Sequence, residues 1–170
     1  MPRNRNLADL ARVVSAFADI PHCRLLGMRL DEVRRGSGMM SLDWNETLVG
    51  NPQTRVVHSG VITALLDTLC GLVVMASVPE GTPLATLDLR IDYLKPATPE
   101  QTIRAFAECY KVTTSVAFVR GRAFHHRRDD AIAHCTGTFM LGGVGFSATA
   151  AAAGSAGSPG PDRRAGGNPC

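Results

Sequence analysis

His58-Ser59-Gly60-Val61-Ile62-Thr63-Ala64-Leu65-Leu66-Asp67-Thr68-Leu69-Cys70-Gly71-Leu72-Val73-Val74-Met75-Ala76-Ser77 is the stretch that decides the fold. It is apolar almost all round, the pattern of a helix buried on every side rather than laid on a surface. Asp67 stands in its middle, and no other charged residue occurs between His58 and Glu80. Nothing near in sequence can pair with that carboxylate, and burying an unpaired carboxylate is costly. A chain keeps such a group mainly where it works, so Asp67 is the first candidate for a functional acid. Three plainer readings compete: an N-cap for a helix that begins only there, a structural pair with a distant arginine, or a polar residue inside a transmembrane helix. The last is the weakest, because a central Asp costs about 2.5–3.5 kcal/mol on insertion and the run stops at Pro79-Glu80.

Upstream of the helix, Asn45 to Val57 contains Asn51-Pro52 and Gly50 and few apolar residues, so it reads as a loop delivering the chain to His58. Before that, Leu25 to Val33 and Met39 to Trp44 flank Arg35-Gly36-Ser37-Gly38 and read as two strands about a turn. Leu7, Leu10, Val14 and Phe17 recur at helical spacing, which predicts a short amphipathic helix that Pro21 ends.

Downstream, Pro79-Glu80-Gly81-Thr82-Pro83 is a turn, and then Leu87, Leu89, Ile91 and Tyr93 alternate with Thr86, Asp88, Arg90 and Asp92. That is a strand with one apolar and one polar face. Ile103 to Tyr110, Val116 to Phe124 and Ala131 to Leu141 read as three further strands, with connections short enough for antiparallel hairpins. Residues 147–170, SATAAAAGSAGSPGPDRRAGGNPC, lack aromatics and are rich in Ala, Gly and Pro, the composition of a disordered low-complexity tail. The expected organisation is an N-terminal helical segment over 1–22, one domain over 23–146 and a tail over 147–170. Strands in series with one buried helix, and no alternation of strand and helix, argue α+β.

The formal charge of +3 is too small to argue for a nucleic-acid partner. Cys23, Cys70, Cys109, Cys135 and Cys170 show no metal-ligand spacing, and their odd number does not suggest a disulfide framework. Free thiols, and an N-terminus with no uninterrupted apolar export segment, are expected of a cytoplasmic protein. No metal, cofactor or membrane partner is expected.

Asn51-Pro52, Val57-His58-Ser59-Gly60, Asp67, Thr86-Leu87-Asp88-Leu89 and Tyr93-Leu94-Lys95-Pro96-Ala97, taken in order, resemble the hotdog-fold acyl-CoA thioesterases of the phenylacetyl-CoA thioesterase (PaaI-like) type. The resemblance runs from about Gly27 to Leu141. It implies an antiparallel sheet wrapped around the central helix, a homodimer or homotetramer, and hydrolysis of an acyl-CoA without metal. It places Asp67 on the acid that activates water or attacks directly. It places Asn51 and the backbone N–H groups at Ser59-Gly60 on the carbonyl-holding groups, and Thr86 on a hydroxyl that positions the water. The family commonly has His-Gly-Gly where this chain has His58-Ser59-Gly60, and this chain has one residue more between Asn51 and His58.

The residues by themselves fit those roles. A helix N-terminus offers free N–H groups and a positive dipole end to a carbonyl oxygen that becomes negative under attack. A carboxylate serves as base or nucleophile. His58 and Thr63 are candidate substrate contacts, although a histidine at a loop–helix junction is more often a structural hydrogen bonder. His125-His126-Arg127-Arg128 offers Arg127 and Arg128 to CoA phosphates, against the plainer reading of a solvated hairpin end. Cys70 lacks an adjacent base and reads as an inert buried thiol, and Ser59 lacks the G-x-S-x-G setting of a serine nucleophile. The competing functions are a non-catalytic acyl-CoA-binding module and a hydratase or dehydratase. Finally, about 10 Å of helix separates Gly60 from Asp67. Sites shared between subunits of a two-fold dimer are therefore expected.

Overall fold

The computed structural model describes residues 3–142, with side-chain surroundings from residue 11 onward. The tail expected over 147–170 lies outside the described residues. The elements in chain order are α1 (Arg3–Ala18), α2 (Pro21–Leu26), β1 (Met28–Arg34), β2 (Ser37–Leu42), β3 (Val49–Asn51), β4 (Val56–Val57), α3 (Ser59–Ser77), β5 (Leu84–Tyr93), β6 (Ile103–Val112), β7 (Val116–Phe124) and β8 (Ala131–Leu141).

Six strands form one antiparallel sheet in the order β1-β2-β6-β7-β8-β5. Inward residues alternate along it: Met40 and Leu42 on β2, Ile103 and Ala105 on β6, Ala117 and Val119 on β7, and Ala133, Cys135 and Phe139 on β8 are all buried. This face closes on α3, whose Leu65, Leu66, Leu69, Cys70, Val73 and Val74 are fully buried. Small inward residues let the helix sit close. A side chain at Gly38 would place its Cβ 3.0 Å from the Glu32 carbonyl oxygen and 3.1 Å from Val73.

Three readings of the sequence need correction. Pro21 does not merely end a helix. It occupies the first turn of α2, where its missing N–H is no loss, and α2 spans the boundary drawn between residues 22 and 23. The loop expected over Asn45–Val57 contains a 3-10 turn at Glu46–Leu48 and a two-stranded sheet of β3 and β4. Arg55 holds this loop by ion pairs to Glu46 and Glu100 and by stacking 4.5 Å above Trp44. The third correction matters most for function, because α3 is not covered on every side. Thr63, Ala64, Asp67, Thr68 and Gly71 are half-buried and lie on one stripe, following the three- and four-residue spacing of a helix face. Ala and Gly read as apolar in the sequence and hid that open face.

α1 and α2 cover the C-terminal half of α3. Val13 and Cys23 join the same core, and the Arg12 guanidinium donates to the Met75 carbonyl at 3.0 Å. β5 is the sheet edge, paired on one side with β8. Of its alternating apolar set, Leu87 (56% exposed) and Tyr93 (46%) remain open to solvent, with Leu94 (57%) just beyond. Leu87 sits where the β5–β8 register shifts between Thr86 and Asp88, which turns it away from the core.

Candidate active site

β5 meets α3 in two places. At the first, the Thr86 hydroxyl donates to Asp67 Oδ1 at 3.0 Å. This bond holds one carboxylate oxygen, and Asp67 lines a cleft of about 350 Å³. The cleft is lined by Asp67, Thr68 and Gly71 of α3 and by Thr86, and its apolar wall includes Leu72 and Phe139. The carboxylate is therefore half-exposed on the stripe rather than sealed in the core, and among the described residues it neither caps a helix nor pairs with an arginine. What surrounds it is a polar pair at one end of an apolar cleft.

At the second contact, Tyr93 Oη donates to the Ser59 carbonyl at 2.9 Å and lies 2.7 Å from Thr63 Oγ1. Thr63 Oγ1 in turn lies 3.2 Å from the same carbonyl. His58 is the N-cap of α3, and its Nδ1 accepts from the Gly60 N–H at 2.9 Å. The imidazole thus does the work of a capping side chain. A ligand oxygen taking the Gly60 N–H would have to share or displace that ring nitrogen. Asn51 lies on the strand that pairs with β4, immediately ahead of His58. Its Oδ1 accepts from the N–H groups of Gln53 (3.0 Å) and Thr54 (3.3 Å), which leaves the amide nitrogen as its donor toward a carbonyl.

The structure therefore gathers the expected residues into two groups: Asp67 with Thr86, and Asn51, His58, Ser59, Gly60 and Thr63 around the start of α3. About two turns of helix, roughly 10–12 Å, lie between them. Tyr93 belongs with the second group, although only its place in a longer motif marked it in the sequence. Arg127 and Arg128 lie in the connection from β7 to β8. Tyr93 pairs with Ala133 near the start of β8, so this connection is at the same end of the sheet as the start of α3. Arg127 is held by a two-point pair with Asp129, and Arg128 stacks 4.1 Å above Phe106. The adjoining His125 is not part of a solvated end. It is buried, lies 2.9 Å from the Thr102 carbonyl through Nδ1 and accepts from the Thr98 N–H at 2.9 Å through Nε2.

Cys70 is fully buried, with its sulfur 3.9 Å from that of Cys135. The Cys135 contact and burial push the Cys70 thiol well above its ordinary value, which makes it a poor nucleophile. Burial likewise raises Cys23, against a weak contact with Thr68. Cys23, Cys70, Cys109 and Cys135 are all free thiols.

The family model described as the thioesterase superfamily matches residues 55–132, the span that holds His58, Asp67, Thr86 and both arginines. A Pseudomonas aeruginosa protein of known crystal structure is 39% identical, with a TM-score of 0.70 over 78% of this chain and 98% of that one. This chain belongs to the thioesterase superfamily. It is a thioesterase with the hotdog fold, and thioester hydrolysis is its general chemistry. The medium/long-chain acyl-CoA thioesterase YigI of Escherichia coli (strain K12) is 29% identical over 136 residues, which is 72% of this chain and 86% of that protein. The E. coli PaaI protein, from the phenylacetic acid degradation operon, shares the fold with a TM-score of 0.70 at 15% identity, over 79% of this chain and 94% of that one.

Proposed function

We propose that this thioesterase hydrolyses acyl-CoA, with Asp67 as general base, at sites shared between two subunits of a homodimer or a dimer of dimers. The observation that carries the reading is the Asp67–Thr86 pair at one end of an apolar cleft. With Oδ1 held by Thr86, Oδ2 is free to take a proton from a water that attacks the thioester carbonyl. The carbonyl oxygen gains negative charge, and the partner subunit's start of α3, with its Ser59-Gly60 N–H groups and the Asn51 amide, is suited to stabilise it. Collapse of the tetrahedral species breaks the C–S bond, and the proton held by Asp67 goes to the departing CoA sulfur. The products are the free acid and CoA.

Two subunits are invoked because reacting atoms must approach to about 3–3.5 Å, whereas one α3 keeps these groups roughly 10–12 Å apart. The exposed Leu87, Tyr93 and Leu94 at the β5 edge supply the surface for such pairing. Lys95, which pairs with Asp130, lines a cleft with Ser59 at the start of α3, where the CoA phosphates would lie. The YigI relative supports medium or long acyl groups. The free thiols fit a reducing, cytoplasmic setting.

The test is thiol release by purified protein from acyl-CoAs of several lengths, compared with Asp67→Asn. That variant should keep the fold and lose about 10²-fold or more in turnover. Turnover near wild type would remove Asp67 from the chemistry, and binding of acyl-CoA without hydrolysis by the wild type would make the protein a binding module.

A further inference from the structure

Gly71 follows Asp67 by one helical turn on the open stripe of α3 and lines the same cleft. A glycine inside a helix weakens it relative to alanine, so its presence asks for a reason. Packing within the chain gives none. A Cβ at Gly71 would meet Phe139 Cε1 at 3.6 Å and Leu84 Cδ1 at 4.0 Å, ordinary contact distances, and the backbone there has no positive φ. Gly38, by contrast, has no room for a Cβ because α3 presses against it. No clash among the described residues therefore requires glycine at position 71, which bounds the cleft.

Beyond Gly71 the cleft is walled by Leu72 and Met75 of α3, Leu84 of β5, Phe139 of β8, and Ile20 from the corner between α1 and α2. These walls are apolar, and among the described residues the one charged group lining the cleft is Asp67 itself. Asp67 to Met75 spans about 12 Å of helix. An extended alkyl chain with C–C bonds of about 1.5 Å advances roughly 1.3 Å per carbon, so the run takes an unbranched chain of about nine carbons. We infer that Gly71 is the entrance through which the acyl chain passes from Asp67 into this cleft, and that side-chain size at position 71 sets the chain length hydrolysed. The inference rests on the acyl-CoA reading and names its substrate class as straight, apolar, medium-length acyl groups.

The experiment measures kcat/KM of wild type, Gly71→Ala and Gly71→Leu on butanoyl-, octanoyl- and decanoyl-CoA, with light scattering and circular dichroism on each. Wild-type kcat/KM should rise with length by about fourfold for each methylene that enters the cleft. Gly71→Leu should lose at least roughly 50-fold on decanoyl-CoA, several methylenes' worth, while butanoyl-CoA stays within about threefold. Gly71→Ala should fall between, with a Tm no lower than wild type because alanine is the better helix former. A parallel loss on all three substrates in a folded variant overturns the inference and leaves the function standing. A change in oligomeric mass in either variant also overturns it, since the space would then serve subunit packing. If Gly71→Leu does not fold, the butanoyl-to-decanoyl ratio of Gly71→Ala decides. If wild type releases thiol from no acyl-CoA, the functional reading falls and the inference falls with it.

Discussion

The two contacts between β5 and α3 are built in opposite ways. At the start of the helix, polar groups close on one another: Tyr93 on Ser59 and Thr63, and His58 on Gly60. Midway along the helix, Asp67 has the Thr86 hydroxyl on one oxygen and lines an apolar cleft. The first arrangement satisfies its own donors and acceptors, which stabilises the entry into α3. The second leaves a carboxylate with unused acceptor capacity beside apolar walls, which is where a reactant is wanted. The difference is between a contact whose hydrogen bonds close within the chain at the helix start and one at Asp67 that keeps acceptor capacity beside apolar walls.

Substitutions at the two contacts should separate accordingly. Thr86→Val removes the hydroxyl that holds Oδ1 and should lower kcat by about tenfold, through poorer placement of the base, with stability changed by less than about 1 kcal/mol because the residue is exposed. Steady-state kinetics with a parallel denaturant titration reads both quantities, and unchanged kcat would detach Thr86 from Asp67 function. Tyr93→Phe acts at the other contact, where the hydroxyl bonds Ser59 and Thr63. It should cost about 1 kcal/mol of stability and move kcat by no more than about threefold. A kcat loss matching that of Thr86→Val, with stability unchanged, would erase the distinction between the two contacts.

Much of this architecture was legible in the sequence, for reasons that can be named. The alternation in β5 and the short connections among β6, β7 and β8 state an antiparallel meander directly, and α3 announces itself by its length and apolar content. Asp67 stood out because charge is scarce around it. Other features depended on partners far along the chain. Arg55 organises the loop before α3 through Glu100, and no local pattern reports such a pair. The ring of His58 capping α3 depends on the loop's path. His125 lies in a run that reads as basic and solvated, yet it is buried through bonds to Thr98 and Thr102. The open stripe of α3 was hidden because Ala64 and Gly71 look apolar, while only the fold decides whether anything covers them.

The claim that two half-sites combine across a two-fold axis is tested most directly by mixing inactive variants. Asp67→Asn removes the base. Asn51→Asp keeps the oxygen that accepts from Gln53 and Thr54 and removes the amide donor. Under conditions where subunits exchange, a mixed dimer holds one intact site and one doubly damaged site, so equal mixing should restore up to roughly a quarter of wild-type thiol release. Activity that stays at the level of the separate variants, with exchange verified by labelled subunits, would contradict the shared-site account.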